Sequence, residues 1–177
     1  MSHEFELARE WFLSGRRVDM GELAESRSIS RATLHRRVGS RDRLLGEILW
    51  SLSSASIARL LPSCAGRGAS GVADFVSGYV RVANESPPFR DFLRREPERA
   101  LRLLTTRASV CQQRTTAALE SLLAAEVAAE RLVAPLPVPD LAYLLVRIGE
   151  SFVYTDVITG DAPDAEKAHA AVTALLT

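Results

Sequence analysis

No stretch of this 177-residue sequence alternates polar and apolar residues convincingly at period two. Ala-, Leu-, Glu- and Arg-rich segments are instead separated by Pro, Gly and Ser, and their apolar residues recur three and four positions apart. The pattern predicts an all-α chain of about nine helices. The first helix, over about 3–14, sets Phe5, Ala8 and Phe12 on one stripe beside Trp11 and ends near Gly15. Asp19 caps a short second helix to about Ser26, with Glu22 placed to complete a capping box and Met20, Leu23 and Ala24 turned inward. After the turn RSI, Ser30 caps a third helix over Arg31 to about Val38, closed by Gly39. Ser40, with Asp42 in the first turn, starts a long helix to about Leu61.

Beyond it, SCAGRGASG (63–71) reads as a loop, followed by the helical stretch GVADFVSGYVRVA, a Pro-bounded piece at 88–95, and PERALRLLTT. A long helix is expected over about 109–132 and a break at APLPVP (134–139). DLAYLLVRIGESFVYTDVI then reads as one helix, and a last one starts near Asp164.

Formal net charge is zero, yet residues 27–43 hold six arginines (27, 31, 36, 37, 41 and 43) against the single acid Asp42. Residues 2–26 carry three basic and six acidic groups. Such local asymmetry inside a neutral total marks a surface for an anion. Arg outnumbers Lys 21 to 1, a bias that warns against assigning function to every arginine.

Two short helices joined by a tight turn form a helix-turn-helix, whose second helix enters the DNA major groove. Leu23, Ala24, Ile29 and Leu34 supply its small core. That leaves Arg31, Ala32, His35 and Arg36 outward on the second helix. Arginine pairs bidentately with guanine, and Ala32 and the Thr33 methyl suit thymine methyls. Arg37, Arg41 and the amides at the Ser40 helix start suit phosphates.

The stretch VDMGELAESRSISRATLHRRVGSRDRLL resembles the DNA-binding signature of TetR-family regulators at Leu23-Ala24, Ile29-Ser30, Thr33-Leu34, Ser40-Arg41 and Leu44. Within that family, G-R-R-V-D-M, S-R-A-T-L and V-G-S-R-D-R-L-L followed by Trp50 look most like the branch that includes actinobacterial regulators of quorum-signal degradation. The resemblance implies an all-helical homodimeric repressor. Residues 1–47 would form the helix-turn-helix domain and residues 48–177 the effector-binding and dimerisation domain. Three positions depart from the signature: Ser28 replaces the customary turn glycine, His35 a tyrosine and Val38 an aromatic residue. They favour the alternative reading, a helical protein-interaction or ligand-sensing module that has lost sequence-specific DNA binding.

The region after residue 45 carries no phosphate loop, nucleophile elbow or metal-ligand helix, so no enzyme activity is expected. His3, His35 and His169 do not cluster with cysteines or carboxylates, and no metal or cofactor is expected. Cys64 and Cys111 read as free core thiols. Trp50, Phe75, Tyr79, Phe89 and Phe92 are candidates for the wall of an effector cavity. Arg147 and Glu150 form either an i,i+3 ion pair or, with Tyr154, polar contacts to that effector. Leu141, Leu145, Ile148 and Phe152, with Ala168, Val172 and Leu175 of the last helix, are the expected four-helix dimer contact. The longest apolar run, Leu141 to Val146, is too short to span a bilayer, and no signal peptide is recognisable. The expected partners are therefore a palindromic double-stranded operator, a second copy of the chain and a small, mostly apolar effector, in the cytoplasm and away from membranes.

Overall fold

The computed structural model describes residues 2–106 and 110–177. Among these, eleven helices and no strand occur: α1 (His3–Leu13), α2 (Met20–Ser26), α3 (Arg31–Val38), α4 (Arg41–Cys64), α5 (Gly68–Asn84), α6 (Pro87–Arg95), α7 (Pro97–Thr105), α8 (Val110–Ala128), α9 (Val138–Val153), α10 (Thr155–Ile158) and α11 (Ala165–Leu176). The expected start of the eighth helix at residue 109 lies outside the described residues.

The local signals act where expected. Ser30 Oγ accepts from Thr33 N at 3.1 Å and Ser40 Oγ from Arg43 N at 3.2 Å, each cap contributing about 1 kcal/mol. Asp19 Oδ1 accepts from Gly21 N at 2.7 Å and Glu22 N at 3.0 Å. The reciprocal half of that capping box does not form, because Glu22 turns to Arg16 at 2.8 Å.

Three expectations need correction. The helix count rises to eleven partly because the single helix expected from Asp140 breaks at Tyr154 into α9 and α10. Asn84 Nδ2 donates to the Phe152 carbonyl at 3.3 Å, and Arg90 Nη1 to the Val153 carbonyl at 2.9 Å. Those two carbonyls would otherwise serve the next helical turn. The loop expected over 63–71 shrinks to the three residues between Cys64 and Gly68. Glu126 of α8 gathers it by accepting from Gly66 N at 2.7 Å and Gly68 N at 2.9 Å. Gly71 permits the tight turn, since a Cβ there would lie 2.0 Å from the Cys64 carbonyl oxygen. Finally, α4 runs to Cys64 and includes Pro62 in its last turn.

Helix α4 passes without interruption through the expected boundary at residues 47 and 48. By length and composition it could cross a membrane, but here it packs against α1, α5, α7 and α8. One apolar cluster joins the first three helices to later ones: Phe12 of α1 meets Phe92 of α6 edge-to-face, ring centroids 5.6 Å apart. A second cluster fills the bundle of α4, α5, α8, α9 and α11 around Leu123, Leu141, Leu145 and Val172. The amino-terminal helices are thus seated on the bundle through shared core.

Candidate nucleic-acid interface and effector cavity

Helices α2 and α3 pack around Leu23, Ala24 and Leu34, all buried, with Ile29 half-buried in the turn. The turn closes when Ile29 N donates to the Ala24 carbonyl at 3.0 Å. This geometry puts Ser28 at φ 52°, the left-handed conformation a glycine would take at less cost. The turn is therefore built despite its departure from the signature. Val38, another of the three departures, packs half-buried against the same core.

On the outer side of α3, Arg31, Ala32, His35 and Arg36 are exposed, and Thr33 is half-buried. Arg36 Nη2 reaches Thr33 Oγ1 at 3.3 Å. The Arg31 guanidinium folds back over Gly21, where a Cβ would come within 2.6 Å of Nη2. The Glu22 and Gly21 amides hold the Asp19 carboxyl below its usual range, opposed by burial and helped by the Arg17 and then the Arg31 charge. Gly21 is thus a position that sequence reading passed over. Arg37 donates to the buried Glu4 at 2.5 Å, tying α3 to α1, with its own side chain 52% exposed.

Arg41 does something else than expected. Its Nη1 and Nη2 donate to Glu96 Oε2 and Oε1 at 2.7 and 2.6 Å, and its Nε to the Val18 carbonyl at 2.5 Å. All three donor directions serve the protein interior, so the phosphate role expected of Arg41 is withdrawn. Around this pair Arg99 also binds Glu96, and Asp42 binds Arg99 and Arg102 at 3.0 and 2.6 Å. The start of α4 is thereby bound to α7. Arg43, one turn position on, is exposed and makes no ion pair among the described residues.

A cavity of about 330 Å³ lies between α4, α5, α8 and α9 and reaches Leu13 of α1 and Phe89 of α6. Of the residues expected in its wall, Phe75, Tyr79, Phe89 and Tyr154 line it. Trp50 does not: it packs against the second core cluster, beneath the Arg114 guanidinium at 5.4 Å. Phe92 is taken by Phe12. Arg147 pairs with Glu150 and lies over the Tyr143 ring at 5.7 Å, so the ion pair exists while Glu150 alone of the two faces the cavity.

The cavity wall also holds Ser53, Cys111, Gln112 and Thr115, which sequence reading did not assign to it. Ser53 Oγ bridges Tyr79 Oη at 2.7 Å and Cys111 Sγ at 3.3 Å. Burial pushes the Tyr79, Tyr154 and Cys111 ionisations upward. Burial likewise raises the Glu150 carboxyl to about 7, against the opposing pull of Arg147.

The expected dimer contact is largely turned the wrong way. Leu141, Leu145, Ala168 and Val172 are fully buried within the protomer, because α9 and α11 pack on α5 through that face. Ile148, Phe152 and Leu175 remain half-buried, and Leu144 shares their accessibility while Tyr143 is 54% exposed. Leu144, Ile148 and Phe152 fall four apart and so share one face of α9.

Residues 67–177 match the family model described as tetracyclin repressor-like, C-terminal domain. The chain belongs to the TetR family. The solved structure of the R. erythropolis transcriptional repressor QsdR, itself of the TetR family, superposes on this TetR-family chain with a TM-score of 0.88 at 26% identity, covering 98% of this chain and 92% of that one. The TetR family repressor AlkX from Dietzia sp. strain DQ12-45-1b, implicated in biodegradation of n-alkanes, gives a TM-score of 0.66 at 24% identity, covering 98% and 93%. The TetR family regulator PfmR from Thermus thermophilus gives 0.52 at 17%, covering 99% and 97%. No curated protein matches the sequence. Family members are transcription factors rather than enzymes, and this chain is accordingly a DNA-binding transcriptional regulator.

Proposed function

We propose that the chain is a cytoplasmic homodimeric repressor that leaves a palindromic operator when a small, mostly apolar effector enters the cavity between α4, α5, α8 and α9. The observation that carries this reading is the solvent-facing row Arg31, Ala32, His35 and Arg36 on α3, held by the buried Leu23, Ala24 and Leu34. Arg31 and Arg36 are assigned to base edges, Ala32 and Thr33 to thymine methyls, and His35, Arg37 and the Ser40 amides to the backbone. Arg43 takes the phosphate position vacated by Arg41. The intact turn at Ser28 supports DNA reading over the lapsed-reader alternative.

The division at residues 47 and 48 assigns DNA binding to the helices before it and the effector cavity and dimer contact to the helices after it. In the dimer, the half-buried face of Leu144, Ile148 and Phe152 on α9, with Leu175 on α11, meets its copy. Such a dimer places two α3 helices to read half-sites one DNA turn apart. The cavity touches Leu13 of α1 and Leu49 and Leu52 of α4, so an occupant pushes directly on the helices that carry α3. For release, the effector must bind the free dimer more tightly than the operator-bound one. Titrating an effector against free protein and against the protein–operator complex tests this. Weaker binding to the complex is expected; equal affinities would contradict release.

A further inference from the structure

We infer that the effector is an electrically neutral amphiphile whose polar head carries a hydrogen-bond acceptor of amide or ester type, seated against Tyr79 and Glu150 with its apolar part along the surrounding wall. This rests on the cavity being the effector site. Two hydrogen-bonded groups of polar side chains stand in that wall. Ser53 of α4 joins Tyr79 of α5 and Cys111 of α8. The Gln112 amide, with its nitrogen toward both, donates to Glu150 Oε1 at 2.7 Å and to the Leu104 carbonyl at 2.9 Å. Much of the remaining wall is apolar, Leu49, Leu52, Val82, Phe89, Leu119 and Leu145 among it, with Ser56, Arg59, Ser86, Thr115 and Tyr154 as its other polar members.

Charge decides the class. Glu150 is the one carboxylate among the described lining residues, and its two oxygens already face Gln112 and Arg147. An anionic head would meet that carboxylate. The lining cation, Arg59, sits exposed and makes no ion pair among the described residues, so water screens it. A cationic head would have to give up its hydration to share a carboxylate that Arg147 already pairs. A neutral acceptor instead accepts a hydrogen bond from the Tyr79 hydroxyl and, in the fraction of molecules where Glu150 is protonated, from its carboxyl as well.

The groups facing Glu150 are Arg147 on α9, Tyr154 just past its end, Tyr79 on α5 and Cys111 on α8; α4 offers the uncharged Ser53. Tyr79, Tyr154 and Cys111 ionise above their ordinary values, so Glu150 is the member of this set that titrates around neutrality.

The experiment uses the full-length protein and four probes with one eight-carbon chain: octanamide, octanoate, octylammonium and octane, with calorimetric titration at neutral pH. Octanamide is expected to bind best, with the two ions roughly a hundredfold weaker. Tyr79→Phe should weaken octanamide about fivefold, the loss of one neutral hydrogen bond, and leave octane unchanged. Octanamide affinity should fall by up to about tenfold from pH 6 to pH 8 as Glu150 loses its proton, a slope that Glu150→Gln abolishes. Octanoate or octylammonium binding as well as octanamide would overturn the neutral-head inference and leave the cavity as effector site. Failure of all four to bind would overturn both.

Discussion

Arg41 and Glu96 stand 55 positions apart in the chain and meet through two parallel N–H···O bonds of 2.7 and 2.6 Å. One is the first residue of α4, the helix that follows α3; the other stands between α6 and α7. Both side chains are largely shielded, 16% and 17% exposed. The position of the amino-terminal helices relative to the bundle is therefore fixed by an ion pair as well as by the shared Phe12 and Phe92 core.

Breaking that pair leaves a shielded charge alone. Glu96→Gln and Arg41→Gln are each expected to lower unfolding free energy by about 1–3 kcal/mol after solvent screening. The double variant should cost less than the sum, by 0.5 kcal/mol or more on the order of typical contact coupling. Urea denaturation of the four proteins gives the cycle; strict additivity would show that the two groups do not act together.

Acid exposes the same interaction. The Arg41 guanidinium, opposed by burial and aided by Arg99, holds the Glu96 carboxyl at about 2 against an ordinary 4.5. Its contribution is full above the ordinary value and disappears as pH falls from there toward 2. Stability measured through that window should decline more steeply in the wild type than in Glu96→Gln. Parallel curves would place the acid sensitivity elsewhere.

Ser28 occupies a left-handed conformation at φ 52°. Ser28→Gly should therefore stabilise the protein by about 0.5–1 kcal/mol, relief of the Cβ penalty being offset in part by the freer unfolded chain. A thermal melt checks it, and a lower midpoint would mean that the serine hydroxyl contributes something the backbone does not reveal.

The two kinds of arginine on the DNA face separate by their salt response. Arg31→Ala should relax preference at one base pair, costing about 1–3 kcal/mol there. Arg43→Ala should weaken all duplexes alike and reduce the salt slope by about 1. Arg41→Ala should show neither signature cleanly, because its loss acts through the fold. Anisotropy titrations on operator variants at several salt concentrations distinguish them.

Helix α9 yields opposite outcomes on its two faces. If the proposed α9 contact holds, Ile148→Asp and Phe152→Asp should give a folded monomer. Leu145→Ala, which empties a fully buried site, should instead cost about 2–5 kcal/mol of protomer stability. Sedimentation and denaturation together read both.

How much of this was legible in the sequence follows from the range of the interactions. Caps at Asp19, Ser30 and Ser40 are decided within three residues, and the Leu23, Ala24, Leu34 core within a dozen. Both could be read from spacing. Helix α9 is apolar around most of its circumference, so periodicity could not say which side faces α5 and which a partner. Leu141 and Leu145 were accordingly expected outside and lie inside. Arg41 looked like a phosphate ligand because nothing local marks Glu96 as its partner. The break at Tyr154 depends on Asn84 of α5 and Arg90 of α6, 68 and 63 positions from the carbonyls they bind. The polar groups of the cavity come from α4, α5, α8 and α9, Ser53, Tyr79 and Glu150 singly and Cys111 and Gln112 from α8, and no one helix carries a pattern that marks them.

The most direct test of the account is selection of bound duplexes from a random library by the purified full-length protein at near-physiological salt. Enrichment of a palindrome with half-sites about one helical turn apart is the predicted result, and loss of that enrichment in Arg31→Ala with Arg36→Ala should accompany it. A folded, dimeric protein that enriches no sequence would contradict the assignment of α3 as a reader of DNA.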